Sequence, residues 1–205
     1  MSESWKTSPT VFQKQLDLNL GYLRTGSYPP HWNTFLAILK KIRANHQIRN
    51  VLDIGCGCGA YYGLLRKEHP DLIYLGVDFA EHAINLAKKH WGVNQFFVKS
   101  LWDFKEIDLE PFDLIYCDGL FEVMEDADQA LKFFMALRPR MAIINRINSQ
   151  ESPSSSKTYR AYDEIRVFRF THNREELRKT LEPGYEVEPY SSAYLVRRVQ
   201  CQNQP

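Results

Sequence analysis

Apolar residues recur along this chain with two different periods, and the change of period divides it. In the first 45 residues the spacing is helical. Val11–Leu23 is mostly polar but carries Phe12, Leu16, Leu18, Leu20 and Leu23, and it runs out near Gly26. After Tyr28-Pro29-Pro30, the stretch His31–Ala44 puts Trp32, Phe35, Leu36, Leu39 and Ile42 on one face, with Lys40, Lys41 and Arg43 on the other. This is the pattern of an amphipathic helix with a solvated edge. From residue 50 short apolar runs alternate with amphipathic segments. Val51–Ile54, Leu72–Val77, Phe96–Val98, Leu114–Cys117 and Met141–Ile147 read as buried strands. Between them, Ala80, Ala83, Ile84, Ala87 and Trp91 form one helical stripe that Gly92 stops, and Asp126-Ala127-Asp128-Gln129 resembles a capping box opening a helix through Leu137. Such alternation needs crossover connections, so it predicts an α/β fold with a doubly wound, mostly parallel sheet and helices on both faces.

The alternation stops after Ile147. Asn148–Lys157 holds five serines and a proline and reads as a loop. Ile165–Phe170 alternates apolar and basic residues, as a strand does, and Asn173-Arg174-Glu175-Glu176 caps a helix to about Leu181. Tyr185–Pro189 and Ala193–Val199 then flank Tyr190-Ser191-Ser192, which predicts a C-terminal antiparallel hairpin. No repeat or linker separates independent units. The reading is one domain over 1–205, with a helical cap at 1–45, a core at 46–200 and a substrate-side insertion at 148–170.

Composition changes this picture little. With 44% hydrophobic and 25% charged residues, the 205-residue chain is an ordinary globular one that can bury a core without staples. Lys+Arg 26 against Asp+Glu 25 leaves a net charge of +1, which gives no reason to expect a nucleic-acid or membrane partner. The start lacks the pattern of a secretory signal and no apolar run reaches the ~20 residues of a membrane span. Cys56, Cys58, Cys117 and Cys201 form no ladder and no zinc spacing, so they read as free thiols of a reducing cytoplasm, with no metal.

The candidate chemistry lies in Val51-Leu52-Asp53-Ile54-Gly55-Cys56-Gly57-Cys58-Gly59-Ala60. A buried strand runs through three glycines into a helix, so a ligand can approach the main chain without interference from Cβ atoms, near a positive helix end. Gly55-x-Gly57-x-x-Ala60 alone also satisfies a loose dinucleotide pattern. Two acids sharpen it. Asp53 stands two residues before the first glycine, and Asp78 closes the next strand nineteen residues past Gly59. An acid at the second position can accept both hydroxyls of a ribose. Nicotinamide fingerprints share that acid but rarely need the first, which suits a ligand carrying an ammonium group.

These residues resemble the class I S-adenosylmethionine-dependent methyltransferases. Asp53-x-Gly55-x-Gly57-x-Gly59 is similar to that family's first motif, Gly76-Val77-Asp78-Phe79 to its ribose-binding strand end, and Phe112–Glu122 to its fourth-strand motif; Leu137-Arg138-Pro139 and Met141–Ile144 resemble its following turn and fifth strand. The resemblance covers roughly residues 46–200. It implies a seven-stranded Rossmann-like sheet ending in an antiparallel hairpin, and S-adenosyl-L-methionine as the cofactor. It further implies that Gly55, Cys56 and Gly57 lie against the amino-acid part of the cofactor, with Asp53 near its ammonium. Asp78 takes the ribose hydroxyls and Phe79 packs on the adenine. Leu101 stands where the family often has an acid, with Trp102 or Asp103 as substitutes at the adenine. Cys117 and Asp118 reach the methionine portion.

The expected reaction is in-line methyl transfer to a small-molecule oxygen, nitrogen or carbon nucleophile, which asks the protein mainly for proximity and alignment. An RNA or protein acceptor, and a binding module without chemistry, are the competing readings. A hydroxyl acceptor needs a base. The candidates are Tyr28, His31, Asp118, Tyr162 and His172; His31 is preferred because its segment opens a helix that could cover the cleft. Asp118 can bond the cofactor's ammonium, act as a base or cap the next turn, with the cofactor role favoured over catalysis. Glu122 reads as a structural anchor. Arg160, Arg166 and Arg169 form either a solvated strand face or a wall for an acidic substrate.

Overall fold

The computed structural model describes residues 8–161 and 165–199. Two helices open it, α1 (Pro9–Thr25) and α2 (Pro30–Asn45), each with proline in its first turn, where the missing N–H costs nothing. The alternating part follows as β1 (Asn50–Ile54), α3 (Ala60–Glu68), β2 (Ile73–Asp78), α4 (Glu81–Trp91) and β3 (Phe96–Val98). A 3-10 turn (Leu101–Asp103) and the short α5 (Glu106–Leu109) lead to β4 (Leu114–Asp118). A second 3-10 turn (Leu120–Glu122), α6 (Ala127–Ala136) and β5 (Met141–Asn145) complete that part.

The main sheet is seven-stranded. Strands β1 to β5 are parallel neighbours, and the hairpin β9 (Tyr185–Pro189) and β10 (Ala193–Arg198) adds antiparallel, giving the order β3-β2-β1-β4-β5-β10-β9. The strand order reverses between β1 and β4, so the connections after those strands diverge and leave a crevice at their carboxyl ends. One core cluster joins α2, α3 and α4 to one face of the sheet through Phe35, Ile38, Leu64, Ile84 and Tyr116. The other joins α6 and α7 (Arg174–Leu181) to the opposite face through Ile115, Leu131, Phe134, Leu177 and Leu181. A third, small cluster seats α1 on the glycine turn through Phe12, Leu16, Cys58 and Ala83.

Local signals act as the sequence predicts in two places. Gly92 ends α4 in the left-handed conformation, its N–H donating to the Lys88 carbonyl (2.9 Å). The Asn173 side chain caps α7 by accepting from the Glu176 amide (3.0 Å). Elsewhere the structure corrects the reading. Asp126 is the first residue before α6, but its side chain makes no capping bond. The fifth strand ends at Asn145, because Arg146 turns left-handed (φ 52°). The serine-rich stretch is not wholly loop. Ser149–Gln150 (β6) and Ser155–Ala161 (β7) flank β8 (Ile165–Asn173) in a second, three-stranded sheet of order β6-β8-β7. Serine is a poor strand former by propensity, and here pairing along β8 decides the conformation. Tyr162 and Cys201 lie outside the described residues, as does the side chain of Arg166. Among the described residues no helix is long and apolar enough to cross a membrane, and no group of acids, histidines and cysteines is spaced to hold a metal ion.

Candidate active site

The turn after β1 is folded back onto β2. The amides of Gly55 and Cys56 both donate to the Val77 carbonyl (2.8 and 3.0 Å), and all three glycines of the turn have positive φ. Gly57 matters most: a Cβ there would meet nothing within 4 Å, so its main chain faces open space. Its amide donates to Asp78 Oδ2 (2.9 Å), while Asp78 Oδ1 accepts from the Ala80 amide (2.8 Å). Burial pushes the Asp78 carboxyl above its usual range, and these amides, with that of Phe79, pull against the shift. The carboxylate is thereby fixed, with lone pairs left over for hydroxyl donors.

Asp53 is almost wholly buried at the carboxyl end of β1. The Tyr74 hydroxyl donates to its Oδ2 (2.6 Å), but Oδ1 is buried with no partner. Burial pushes its carboxyl up to about 8, with the Tyr74 bond opposing and the nearby Asp118 and Asp78 charges adding. A buried acid with one idle oxygen is a costly arrangement unless a donor arrives.

A cavity of about 440 Å³ opens over this turn, within the ~300–1,000 Å³ common for small-molecule sites. Gly55, Gly57, Asp78 and Phe79 form its floor, Ser100, Leu101 and Trp102 one side, and Phe12 and Gln15 of α1 another. Phe79 (49% exposed) and Trp102 (41%) offer open ring faces, and Trp102 also packs on Phe133 (4.9 Å between centroids). The Ser100 amide donates to Asp103 Oδ2 (3.2 Å), so Asp103 caps the turn that carries Leu101 and Trp102.

The far wall is built from the end of β4, the residue after β5 and the small sheet. Arg146 grips Asp118 with two contacts, Nε to Oδ1 (3.1 Å) and Nη2 to Oδ2 (2.8 Å). Burial disfavours the guanidinium charge, and Asp118 outweighs it, so Arg146 stays charged. Glu122 accepts from Arg169 Nε (3.1 Å) and Asn148 Nδ2 (3.2 Å), tying the second sheet to the turn after β4. Arg169 also lies over the Tyr159 ring (4.9 Å), and Tyr159 and Val167, paired across β7 and β8, complete the wall. His31, at the start of α2, is half-buried and is not among the residues that line the cavity. Burial holds its imidazole below the usual value, with Asp118 raising it and Arg146 lowering it.

Most of the residues singled out from the sequence meet at this cavity: Gly55, Gly57, Asp78, Phe79, Leu101, Trp102, Asp118 and Glu122 line it. Asp53 lies beneath, and His31 lies within the electric field of Asp118. Other candidates sit elsewhere. Cys117 is fully buried in the core cluster with Ile54 and Val77, because strand alternation turns it away from the face that Asp118 and Tyr116 share. Cys56 is buried, its Sγ filling the space that the absent side chain of Gly76 leaves, so only its main chain follows the turn. Burial raises its thiol well above the usual value and that of Cys58 to about 12, which leaves both inert. His172 is corrected as a candidate base. It shares a face of β8 with Phe170, opposite Val167 and Arg169, and is fully buried with Nδ1 against Asp128 Oδ1 (2.5 Å), away from the cavity lining. Tyr28 is bound to Glu68 (2.5 Å), which with burial pushes its hydroxyl up to about 12. Arg146, Tyr159, Phe12 and Gln15 carried no sequence signal, since each is one polar or aromatic residue in a segment without a motif.

The cradle fits S-adenosylmethionine. It combines an open glycine main chain, a carboxylate fixed by the amides of Gly57 and Ala80, exposed aromatic residues, and a buried acid with an unused oxygen suited to an ammonium group. A family model described as a methyltransferase domain matches residues 52–140. Among solved structures, the chain is similar to the sugar N-methyltransferase KedS8 of Streptoalloteichus sp. ATCC 53650, at 15% identity and a TM-score of 0.59, covering 88% of this chain and 92% of that one. It is also similar to the magnesium protoporphyrin IX methyltransferase of Synechocystis PCC 6803 with bound S-adenosylmethionine (17% identity, TM-score 0.59, 96% and 94% covered). A third is the amino pentose methyltransferase CalS10 of Micromonospora echinaspora (14%, TM-score 0.59, 86% and 94%). At these identities the likenesses establish the fold. The glycine turn, β2 and β4 fall within the matched residues, so the part of the chain that builds the cradle is similar to a methyltransferase domain carried on a methyltransferase-like fold.

Proposed function

We propose that this enzyme methylates a small-molecule acceptor bound between the glycine turn and the β7–β8 hairpin, with His31 taking the acceptor's proton. The observation that carries this reading is the pairing of a nearly neutral chain with a cavity of about 440 Å³ whose far wall balances two acids, Asp118 and Glu122, against two cations, Arg146 and Arg169. That wall offers no cationic track for a polyanion. The sugar and porphyrin acceptors of the similar enzymes are compact molecules too.

When bound, S-adenosylmethionine supplies a sulfonium-activated methyl group, ready for displacement. In this reading Asp78 would receive the ribose hydroxyls, Phe79, Leu101 and Trp102 would hold the adenine, and the main chain of Gly55, Cys56 and Gly57 would carry the methionine portion. Asp53, with its unpartnered oxygen, holds its ammonium, while Asp118, gripped by Arg146, faces the acceptor. His31, kept uncharged by burial, is free to accept a proton as the acceptor oxygen or nitrogen loses it. Tyr159, Val167 and α1 exclude water and align the acceptor, which is the larger part of the rate gain for an already activated donor.

The test is release of demethylated cofactor by the whole chain against panels of hydroxylated, amino and carboxylated small molecules, with structured RNA and a protein extract in parallel. Turnover with a small molecule and a ~100-fold loss in His31→Gln at near-neutral pH are expected, within the range of general-base catalysis. Turnover with RNA or protein alone, or an undiminished His31→Gln, overturns the proposal.

A further inference from the structure

We propose that Arg146 is a positioning residue of the acceptor site, its guanidinium fork holding the Asp118 carboxylate in one orientation at the cavity wall while the neighbouring Asn145 ties the His31 backbone to the same assembly. The inference rests on the reading of His31 as the group that takes the acceptor's proton.

Arg146 follows β5 with φ 52°, a left-handed backbone that a residue with a side chain adopts only at a cost. Glycine or asparagine would adopt it more readily, so the turn by itself does not call for arginine. The partner strand makes a matching concession. Gly119, directly after β4, is also left-handed (φ 65°), and a Cβ there would stand 2.5 Å from Arg146 Nη2. Two unusual backbone positions, one after each of two neighbouring strands, thus shape the space for a single ion pair.

That pair is a two-point grip, and the two parallel bonds fix the plane of the Asp118 carboxylate as a single ammonium could not. The residue before Arg146 binds the same assembly together. Asn145 is buried; its Oδ1 accepts from the Arg146 amide (3.0 Å), and its Nδ2 donates to the His31 carbonyl (2.9 Å) and the Tyr116 hydroxyl (2.9 Å). One side chain therefore seats both the guanidinium's backbone and the start of α2. A partly exposed ion pair adds little to stability, so stability alone does not account for the strained turn that carries it. The grip instead has its value at the cavity wall, where Asp118 must not swing toward solvent or over the acceptor.

The charges that act on His31 are Asp118 and Arg146, of opposite sign. Glu122 acts on Arg146, and the Tyr61 and Tyr116 phenols, which face Asp118, are held well above their usual values by burial and stay uncharged. Asp53 is coupled to Asp118 but releases its proton only near 8. Removing the guanidinium therefore leaves the Asp118 charge unbalanced in its effect on the imidazole.

The experiment is a histidine-ring NMR titration of the full chain, with His31 assigned by the resonance lost in His31→Gln. Arg146→Gln is expected to raise the His31 midpoint by about one unit, a tenfold gain in proton affinity. Arg146→Lys, which keeps the charge without the fork, shifts it part of the way. Asp118→Asn added to Arg146→Gln returns it to within ~0.3 unit of the parent, as expected if the two residues act as one unit. A midpoint unmoved in Arg146→Gln, or a shift that survives in the double variant, overturns the inference. So does a parent-like midpoint in Arg146→Lys, since charge alone would then suffice. If Arg146→Gln fails to fold, Asp118→Asn carries the test: it must lower the midpoint, and no change overturns the inference. These readouts need no acceptor. If they come out as expected while His31→Gln keeps full turnover, the base assignment falls and the grip on Asp118 stands.

Discussion

The two halves of this active site are made in different ways. On the cofactor side, groups close in sequence do the work: a glycine turn, the acid two residues before it and the acid ending the next strand, locked by the amides of Gly57 and Ala80. On the acceptor side, the wall is assembled from the end of β4, the residue after β5, the start of α2 and a hairpin inserted after the parallel sheet, joined through side chains such as Glu122, Asn145 and Arg146. Main-chain cradles bind what every member of a fold must bind, while side-chain walls can be rebuilt for each acceptor. Division of labour follows from the construction.

The largest effect that tests this contrast is at Asp78. Replacing it with Ala removes the ribose acceptor and frees the Gly57 and Ala80 amides together, so affinity for S-adenosylhomocysteine falls at least ~100-fold by calorimetry, roughly 2.7 kcal/mol. A near-normal affinity would mean that the main-chain cradle does not depend on its acid.

Asp53 gives the next effect, and its sign follows from burial. The folded chain keeps the proton up to about 8, whereas the unfolded chain releases it near 3.8. Between those values the native state binds more protons, so the stability of the free protein falls as pH rises and levels off above the folded value. Asp53→Asn removes that slope in denaturant titrations. In the presence of cofactor the sign reverses: an ammonium favours the carboxylate, so binding expels a proton near neutral pH, and affinity grows as pH approaches 8. Asn abolishes the release and costs about tenfold in affinity at the alkaline end. A cofactor affinity indifferent to pH in the parent would separate Asp53 from the ammonium.

The smallest effect belongs to the acceptor wall. Arg169→Ala loosens the Glu122 link and uncovers Tyr159, raising the acceptor KM about threefold with cofactor affinity unchanged within twofold. Equal losses for both ligands would show that the halves are mechanically one.

The same contrast explains what could be read from the residues. The parallel strands, the closing hairpin and the positions of Gly55, Gly57, Asp53 and Asp78 were legible because period and spacing are local properties. Glu122 was legible as an anchor. Arg146 was not, since nothing in Asn145-Arg146-Ile147 announces a left-handed arginine, and the apolar run invited a longer strand. Ser149–Gln150 and Ser155–Ala161 were hidden for a related reason: their pairing partner is β8, and polar serines signal nothing about it. His172 was misread because the same two-residue period that identified its strand also decides which face a residue takes, and no flanking motif fixed that phase.

The placement of β10 has a consequence for how the chain is born. Its residues, Ala193–Arg198, are the last of the main sheet to be synthesised, yet they pair with β5 on one side and β9 on the other. Until they leave the ribosome, the edge of β5 has no partner, and Ile143 and Ile144 border an open strand. Final closure is therefore a late, long-range event, of the kind that slows folding and lengthens exposure to aggregation. Loss of even the final few residues of that strand would leave a nascent chain with its cofactor cradle already coded and its sheet still unsealed.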